Sequence, residues 1–189
     1  MTVIKRFLNR WRRDDRGVSA VEFAFIAPIL ILAYFGVAEL CGAMLQQRKA
    51  GHVASEVGDL FAQCQTYADT DFANFWSIGN TIMYPLDTSN LTMRLTLIKA
   101  DSTGTNFSVP TGGSHVSGTG LTAIPSGTYT DSSLVGLIPA NGEIVMSETK
   151  DTYNSPVSIV VKNALTFNTK FYLTPRQATT IQVGNACTS

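Results

Sequence analysis

The chain has 189 residues and a mass of 20.4 kDa, which fits one domain of ordinary size or a small domain with an appendage. Hydrophobic residues make up 44% and charged residues only 15%, whereas soluble domains carry about 25% charged residues. This composition excludes a disordered chain and an ordinary cytosolic protein. The formal net charge of zero argues against a generally basic nucleic-acid binder.

The neutral total hides an uneven distribution of charge along the chain. Residues 1–17 carry six basic and two acidic side chains, a net charge of +4. The remaining residues carry eight basic and twelve acidic side chains, a net charge of −4. A basic head therefore precedes a mildly acidic body.

An apolar segment follows the basic head directly. The 21 residues from Val18 to Ala38 contain one charge, Glu22, and as a helix they span about 31 Å, enough for a bilayer core of about 30 Å. Their aliphatic and Phe side chains favour insertion by about 5 kcal/mol, more than the penalty of about 3 kcal/mol for one acid. We predict a transmembrane segment over residues 18–40, with the N-terminus cytoplasmic because the preceding flank is the more basic.

A secretory signal peptide is the alternative interpretation of this segment. The apolar stretch is longer than the core of about 7–15 residues that such signals have. No small-x-small cleavage site closes it before residues 41–43, and the helical pattern continues beyond. These features favour a retained membrane anchor.

The junction between head and helix reads RGVSAVEF at residues 16–23. A basic leader ending in Gly, followed by an apolar helix with an acid at its fifth position, resembles the processing site of type IV prepilins and pseudopilins. The Glu22-Phe23 pair resembles the version found in the tight-adherence (Tad) pilus system. The wider stretch, residues 16–40, resembles the TadE-like family of minor pseudopilins.

This resemblance implies a set of roles and partners. A prepilin peptidase would cut between Gly17 and Val18, and Glu22 of one subunit would pair with the new Val18 amine of a neighbour, with Phe23 as the motif's aromatic residue. The partners would be that peptidase, other pilins or pseudopilins and the inner-membrane pilus platform, with no nucleic acid. Two simpler interpretations stay open: Gly17 as a helix boundary only, and Glu22 reaching toward the lipid headgroups.

Beyond the membrane, apolar residues at helical spacing extend the first helix to about Gln65, and Gly42, Gly51 and Gly58 leave room for close packing. A second helix is predicted at 70–83, capped by Thr70 or Asp69 and carrying an apolar face of aromatic and aliphatic residues. Predicted strands follow at residues 91–99, 142–150, 157–161 and 179–183. The expected class is α+β and pilin-like: a long N-terminal transmembrane and amphipathic helix packed on an antiparallel sheet.

The predicted organisation has three parts. Residues 1–17 form a cytoplasmic prepilin leader, residues 18–65 the N-terminal helix, and residues 66–189 a periplasmic α+β domain. Within that domain, residues 101–142 hold eight Gly, fourteen Ser or Thr and two charged residues, which predicts loops or short polar β-structure exposed to water. We expect a single-pass protein of the bacterial inner membrane that enters a surface pilus if it polymerises.

Three cysteines and one acid complete the candidate residues. Cys64 and Cys187 would both lie in an oxidising compartment, which favours a disulfide between them; free thiols or a partner's cysteine remain open. Cys41 is expected to be a small packed residue and Glu39 to be solvated near the outer interface. Neither the spacing of the cysteines nor the two His gives a metal signature, and we expect no metal or cofactor.

The sequence favours self-association over catalysis. Ser114-His115 are adjacent and have no acid placed beside them, so no catalytic constellation is evident and we expect no enzymatic activity. The leading interpretation is a minor pseudopilin of a Tad-type assembly or secretion machine. Two rivals are a membrane-anchored pilus assembly factor that never polymerises and an anchored periplasmic adhesin or binding module.

Overall fold

The structure is a computed structural model, which describes residues 17–177 and 180–187. Residues 1–16 of the predicted leader lie outside the described residues, as does Thr179 at the start of the last predicted strand. The chain divides into two compact units, one of residues up to Cys41 together with Ser155–Asn163, the other of Gly42–Asn154 together with Ala164–Ser189.

Two helices are present among the described residues. Helix α1 (Val18–Ala62) runs unbroken through Pro28, and α2 (Asp71–Met83) follows it. Thr70 makes no side-chain cap hydrogen bond to α2. The carboxylate of Asp71 instead accepts hydrogen bonds from the backbone N–H groups of Ala68, at 2.9 Å, and Cys187, at 2.7 Å. The predicted side-chain cap is therefore wrong, because the first residue of the helix holds the preceding turn itself.

Six strands form the main sheet, and every pairing in it is antiparallel. Its path runs β5-β3-β2-β6-β7, and β4 also pairs with β2. The strands are β2 (Thr92–Ala100), β3 (Phe107–Val109), β4 (Ser114–Ser117), β5 (Gly127–Tyr129), β6 (Glu143–Tyr153) and β7 (Leu165–Leu173). The short β1 (Thr66–Tyr67) and β8 (Gln182–Val183) pair in parallel as a separate two-stranded sheet. The predicted α+β class with an antiparallel sheet is confirmed.

The two faces of the sheet support two separate cores. Leu91, just before β2, and the alternate residues Met93, Leu95 and Leu97 on β2 pack with both helices, as the alternation predicts. This first core includes Val53, Val57 and Phe61 of α1 and Phe72, Phe75 and Met83 of α2. Ile98 belongs to the second core, on the opposite face. The C-terminal end of β2 is therefore apolar on both sides, with Ile98 and Ala100 in the second core.

The Gly- and Ser-rich segment 101–142 covers the second face of the sheet. Phe107, Val109, Leu134 and Ile138 from this segment are all buried there, in contact with residues of β2 and β6. It does form short strands as predicted, but it is more than exposed polar structure. These four apolar side chains fall where the strands and a short 3₁₀ turn (Ser132–Leu134) direct them inward, whereas Val135 and Leu137 are exposed.

The predicted strand at residues 157–161 is wrong. These residues form an irregular loop, and the next strand is β7, which the sequence analysis did not predict. Ser158 has φ +54°, a left-handed conformation that interrupts an extended chain. The N–H groups of Ile159, Val160 and Val161 donate to a side chain rather than to a neighbouring strand.

Candidate processing and assembly segment

The proposed scissile bond lies at the boundary of the first helix. Gly17 is exposed and Val18 is the first residue of α1. A Cβ built on Gly17 would have nothing within 4 Å, so packing does not demand glycine at this position. Because a helix lacks partners for its first N–H groups, the backbone at this junction is free to adopt another conformation. A peptidase would therefore meet little resistance from the fold here.

Glu22 lies one helical turn beyond Val18. Residues four apart share a face of a helix, so the carboxylate and the first helical residue are on the same side of α1. Glu22 is exposed, and so is the adjacent Phe23, with 67% of its surface accessible. The structure places the motif residues together at one end of the helix and leaves them available to an outside partner.

The first part of α1 is apolar and uncovered. Its most apolar 18-residue window has a mean hydropathy of 2.1, and none of that window is buried within the structure. By length and composition this helix is able to cross a membrane. Phe25, Ile29 and Tyr34 are 75%, 69% and 71% accessible, and an exposed apolar surface of this extent is rare on soluble proteins. The segment is therefore a candidate single-pass anchor.

Glu39 differs from the sequence-based expectation. It is only 3% exposed, so the prediction that it is solvated is wrong. Its carboxylate accepts hydrogen bonds from three successive backbone N–H groups, those of Ile159 at 2.8 Å, Val160 at 3.0 Å and Val161 at 2.7 Å. An irregular loop, invisible to periodicity, supplies these donors. Glu39 therefore fixes that loop against α1.

The cysteines fall into two environments. Cys64 and Cys187 form a disulfide with 5.1 Å between their Cα atoms, which joins the chain just after α1 to the C-terminal tail. Cys64 is fully buried in the first core. Cys41 is a free, exposed thiol, so its predicted packing is wrong; at this position the helix surface has no covering element.

Ser114 and His115 serve structural roles. The Ser114 hydroxyl lies 2.9 Å from the hydroxyl of Thr96 and accepts a hydrogen bond from the N–H of Ile124. The His115 ring stacks on Phe72 with centroids 3.7 Å apart. An acid does lie near, since Asp69 is 3.6 Å from His115 Nε2, but its side chain is 84% exposed and Ser114 contacts other groups.

No group of three or more metal-ligating side chains occurs within residues 17–177 and 180–187. That part of the chain thus holds no metal-ligand set, and Ser114 is engaged in structural hydrogen bonds rather than with His115. At the N-terminal end of α1 these residues present an accessible junction, the exposed acid Glu22 and a long apolar surface.

Comparison with known proteins agrees with the motif. A family model described as TadE-like protein matches residues 17–59, from the glycine of the junction almost to the end of α1. No curated protein and no solved structure matches the chain. The resemblance that residues 16–40 predicted is confirmed. Residues 17–59 are thus similar to the TadE-like proteins that this family model describes.

Proposed function

We propose that the chain is a minor pseudopilin of a Tad-type pilus machine, synthesised as a prepilin and cut after Gly17. The observation that carries the proposal is the coincidence of three boundaries. The family match begins at residue 17, α1 begins at Val18, and the basic head ends immediately before them. Cleavage there would release the whole apolar helix with a new N-terminal amine.

Self-association through α1 would be the working mechanism. The exposed apolar surface of the helix is compatible with lipid before assembly and with neighbouring helices afterwards. The amine on Val18 is mostly protonated at neutral pH, and a cation in an apolar layer needs an anion. Glu22 of a neighbouring copy would supply it, and the axial offset between copies would follow from that pairing.

The topology belongs to the same proposal. The N-terminus would face the cytoplasm, and the sheet domain would lie in the periplasm of the bacterial inner membrane. The disulfide between Cys64 and Cys187 supports this orientation, because such bonds persist in oxidising compartments. The prepilin peptidase, other pilins and the pilus platform would be the partners.

Intact mass spectrometry of the protein from its own host tests the processing step. We expect a chain of 172 residues beginning at Val18 in normal cells, and the full 189 residues in cells that lack the prepilin peptidase. Finding the full-length chain where the peptidase is present would overturn the proposal.

A second experiment separates a polymerising subunit from a static membrane factor. Glu22→Ala should still be cleaved but should be depleted from the sheared pilus fraction. Glu56→Ala is the matched control, since Glu56 is another exposed glutamate on α1, outside the apolar segment. Wild-type incorporation of Glu22→Ala would contradict the pairing role. Cleaved wild-type protein that stays wholly in the membrane would favour the static factor.

A further inference from the structure

The loop of residues 155–163, here the 155–163 loop, carries aliphatic side chains that the described residues leave about half exposed. Val157, Ile159 and Val160 are 45%, 39% and 52% accessible. Three such side chains within four residues form an apolar patch rather than a scattered exposure. Lys162 follows directly and is exposed.

The 155–163 loop is held firmly on α1. The three hydrogen bonds from its backbone to Glu39 fix the segment 159–161. Val160 also packs against the helix, with its Cγ2 3.1 Å from the point where a Cβ on Gly36 would lie. A turn closes the start of the loop, where the N–H of Ser158 donates to the Ser155 hydroxyl at 3.1 Å. The apolar side chains are therefore presented in a fixed arrangement.

The point of attachment corresponds to one end of the apolar helix. Gly36 is 18 residues beyond Val18, an axial rise of about 27 Å, close to the bilayer core thickness of about 30 Å. The 155–163 loop would therefore meet the outer boundary of the hydrocarbon layer. Tyr34 and Val37, exposed on α1 at the same level, continue the apolar surface.

Backbone hydrogen bonding makes this placement feasible. Irregular backbone is excluded from lipid because unpaired N–H groups are costly to bury there. Glu39 accepts from three successive N–H groups of the loop, so these donors are already satisfied. The bonds in turn satisfy a carboxylate that would itself be costly at this depth. Lys162 can extend its ammonium group toward lipid phosphates.

We propose that the 155–163 loop is a second membrane contact, which inserts Val157, Ile159 and Val160 into the outer interfacial region of the bilayer. Glu39 is the positioning residue that holds it there. The inference rests on membrane anchoring by α1 and not on cleavage or assembly. We expect lipid rather than protein to cover this patch, because the patch is continuous with the exposed apolar surface of α1.

Site-directed spin labelling of the full chain in nanodiscs tests the proposal. A nitroxide would be attached at Val160→Cys in a Cys41→Ser background, and the bonded Cys64 and Cys187 do not react in non-reduced protein. Val135→Cys is the aqueous control, since Val135 is 54% accessible. Leu30→Cys, within the apolar helix, reports insertion itself.

We expect a water-soluble nickel chelate to collide with the label at residue 160 severalfold less often than with the label at 135. Oxygen, which concentrates in lipid, should collide more often with the label at residue 160 than with the label at residue 135. The protection should persist in discs that hold a single copy. Adding Glu39→Ala should restore chelate access at residue 160 and leave the label at 30 protected.

Three results would overturn the inference. One is equal chelate access at residues 160 and 135 while residue 30 is protected, which leaves the anchor intact. A second is protection at residue 160 only in discs with two or more copies, which assigns the patch to a protein contact. A third is chelate access at residue 30, which removes the anchor as well. None of these measurements depends on cleavage after Gly17.

Discussion

The carboxylate of Asp151 on β6 accepts a hydrogen bond of 2.7 Å from the side-chain amide of Gln46 on α1. Asp151 is fully buried, and the N–H of Thr152 also donates to it, at 2.9 Å. Burial raises the pKa of Asp151 above its ordinary value of 3.8, although these two hydrogen bonds oppose the effect. A charged group thus lies in the contact between the helix and the sheet.

Replacing that acid should stabilise the protein at neutral pH. Because the pKa of Asp151 is higher in the folded state, its contribution is full below pH 3.8 and is lost as the pH rises through the folded pKa. Asp151→Asn keeps the shape, and the Gln46 amide can rotate to accept from it. We expect Asp151→Asn to equal wild type in acid and to exceed it at pH 7.

Urea unfolding of the full chain in detergent micelles at several pH values checks this expectation. Asp87→Asn is a suitable control, because the pKa of Asp87 is lowered by hydrogen bonds from Ser89 and its substitution should have the opposite pH trend. A stability loss in Asp151→Asn that is independent of pH would show that the carboxylate is required for packing instead.

The close packing of α1 on the sheet requires glycine at residue 58 but not at residue 51. A Cβ on Gly58 would lie 2.6 Å from both Ser147 Cβ and Leu173 Cδ1, whereas a Cβ on Gly51 would meet nothing nearer than 3.8 Å, at Thr169 Cγ2. Helix propensity favours alanine at both by about 1 kcal/mol. Only Gly58 carries an opposing packing penalty.

We therefore expect Gly51→Ala to raise the free energy of unfolding by about 1 kcal/mol. Gly58→Ala should be less stable than Gly51→Ala by about 1–3 kcal/mol, the usual range for overpacking. The comparison of the two variants by urea unfolding cancels their shared propensity gain. Equal stability of the two would show that β6 and β7 shift without penalty to admit the extra methyl group.

The elements that could be predicted from the sequence are those with a regular pattern of apolar residues over neighbouring positions. The apolar run of α1, the alternation along β2 and the amphipathic α2 each follow from one repeated period, and each is present. The Gly-Val junction and Glu22 were found by resemblance and not by period. The family match at residues 17–59 extends over this part of the chain.

Two of the misses, the burial of Glu39 and the loop at residues 157–161, depend on contacts between residues distant in sequence. The burial of Glu39 depends on N–H donors that lie 120 residues or more away in the sequence. Val157, Val160 and Val161 suggested a strand because β-branched residues favour strands, but composition does not show where the backbone N–H groups find their hydrogen-bond partners. β7 was missed although its sequence, LTFNTKFYL, alternates apolar and polar residues, so a strand signal was available. An apolar run beside a turn-forming Ser-Pro pair was the available signal for the loop.

Tyr67 provides a prediction at alkaline pH. Its side chain is buried, its hydroxyl donates to the carbonyl oxygen of Gly112 at 2.9 Å, and burial, with smaller effects of Asp69 and Glu143, raises its pKa to about 12. The unfolded chain ionises first, near pH 10, so stability is lost as the pH rises from about 10 to about 12.

Tyr67→Phe should show a smaller loss over this range, and at pH 7 it should be less stable by about 1 kcal/mol for the lost hydrogen bond. The Gly112 carbonyl keeps a second contact, to His115 Nε2 at 2.8 Å, which limits that effect. Unfolding at pH 7 and at about pH 11 measures both quantities. An unchanged alkaline loss in Tyr67→Phe would assign it to other groups.

The disulfide between Cys64 and Cys187 should contribute strongly to the stability of the sheet domain. The bond between Cys64 and Cys187 spans 123 positions, and loop-closure entropy for a loop of that length corresponds to about 4–5 kcal/mol. The double variant Cys64→Ala with Cys187→Ala should therefore melt at a markedly lower temperature. Cys41→Ala is the matched control and should melt as wild type does, because Cys41 is exposed and unbonded.

Thermal unfolding in micelles, with and without reductant, distinguishes the entropic effect from a packing effect. Reduced wild type should fall to the level of the double variant, because both lack the crosslink and retain the backbone bonds of the tail, such as Gln182 N–H to Gln65 carbonyl at 3.0 Å. If the double variant melts at the same temperature as the oxidised wild type, those backbone hydrogen bonds alone are sufficient to hold the tail. In that case the crosslink would add little, since the unfolded chain would already keep its ends close.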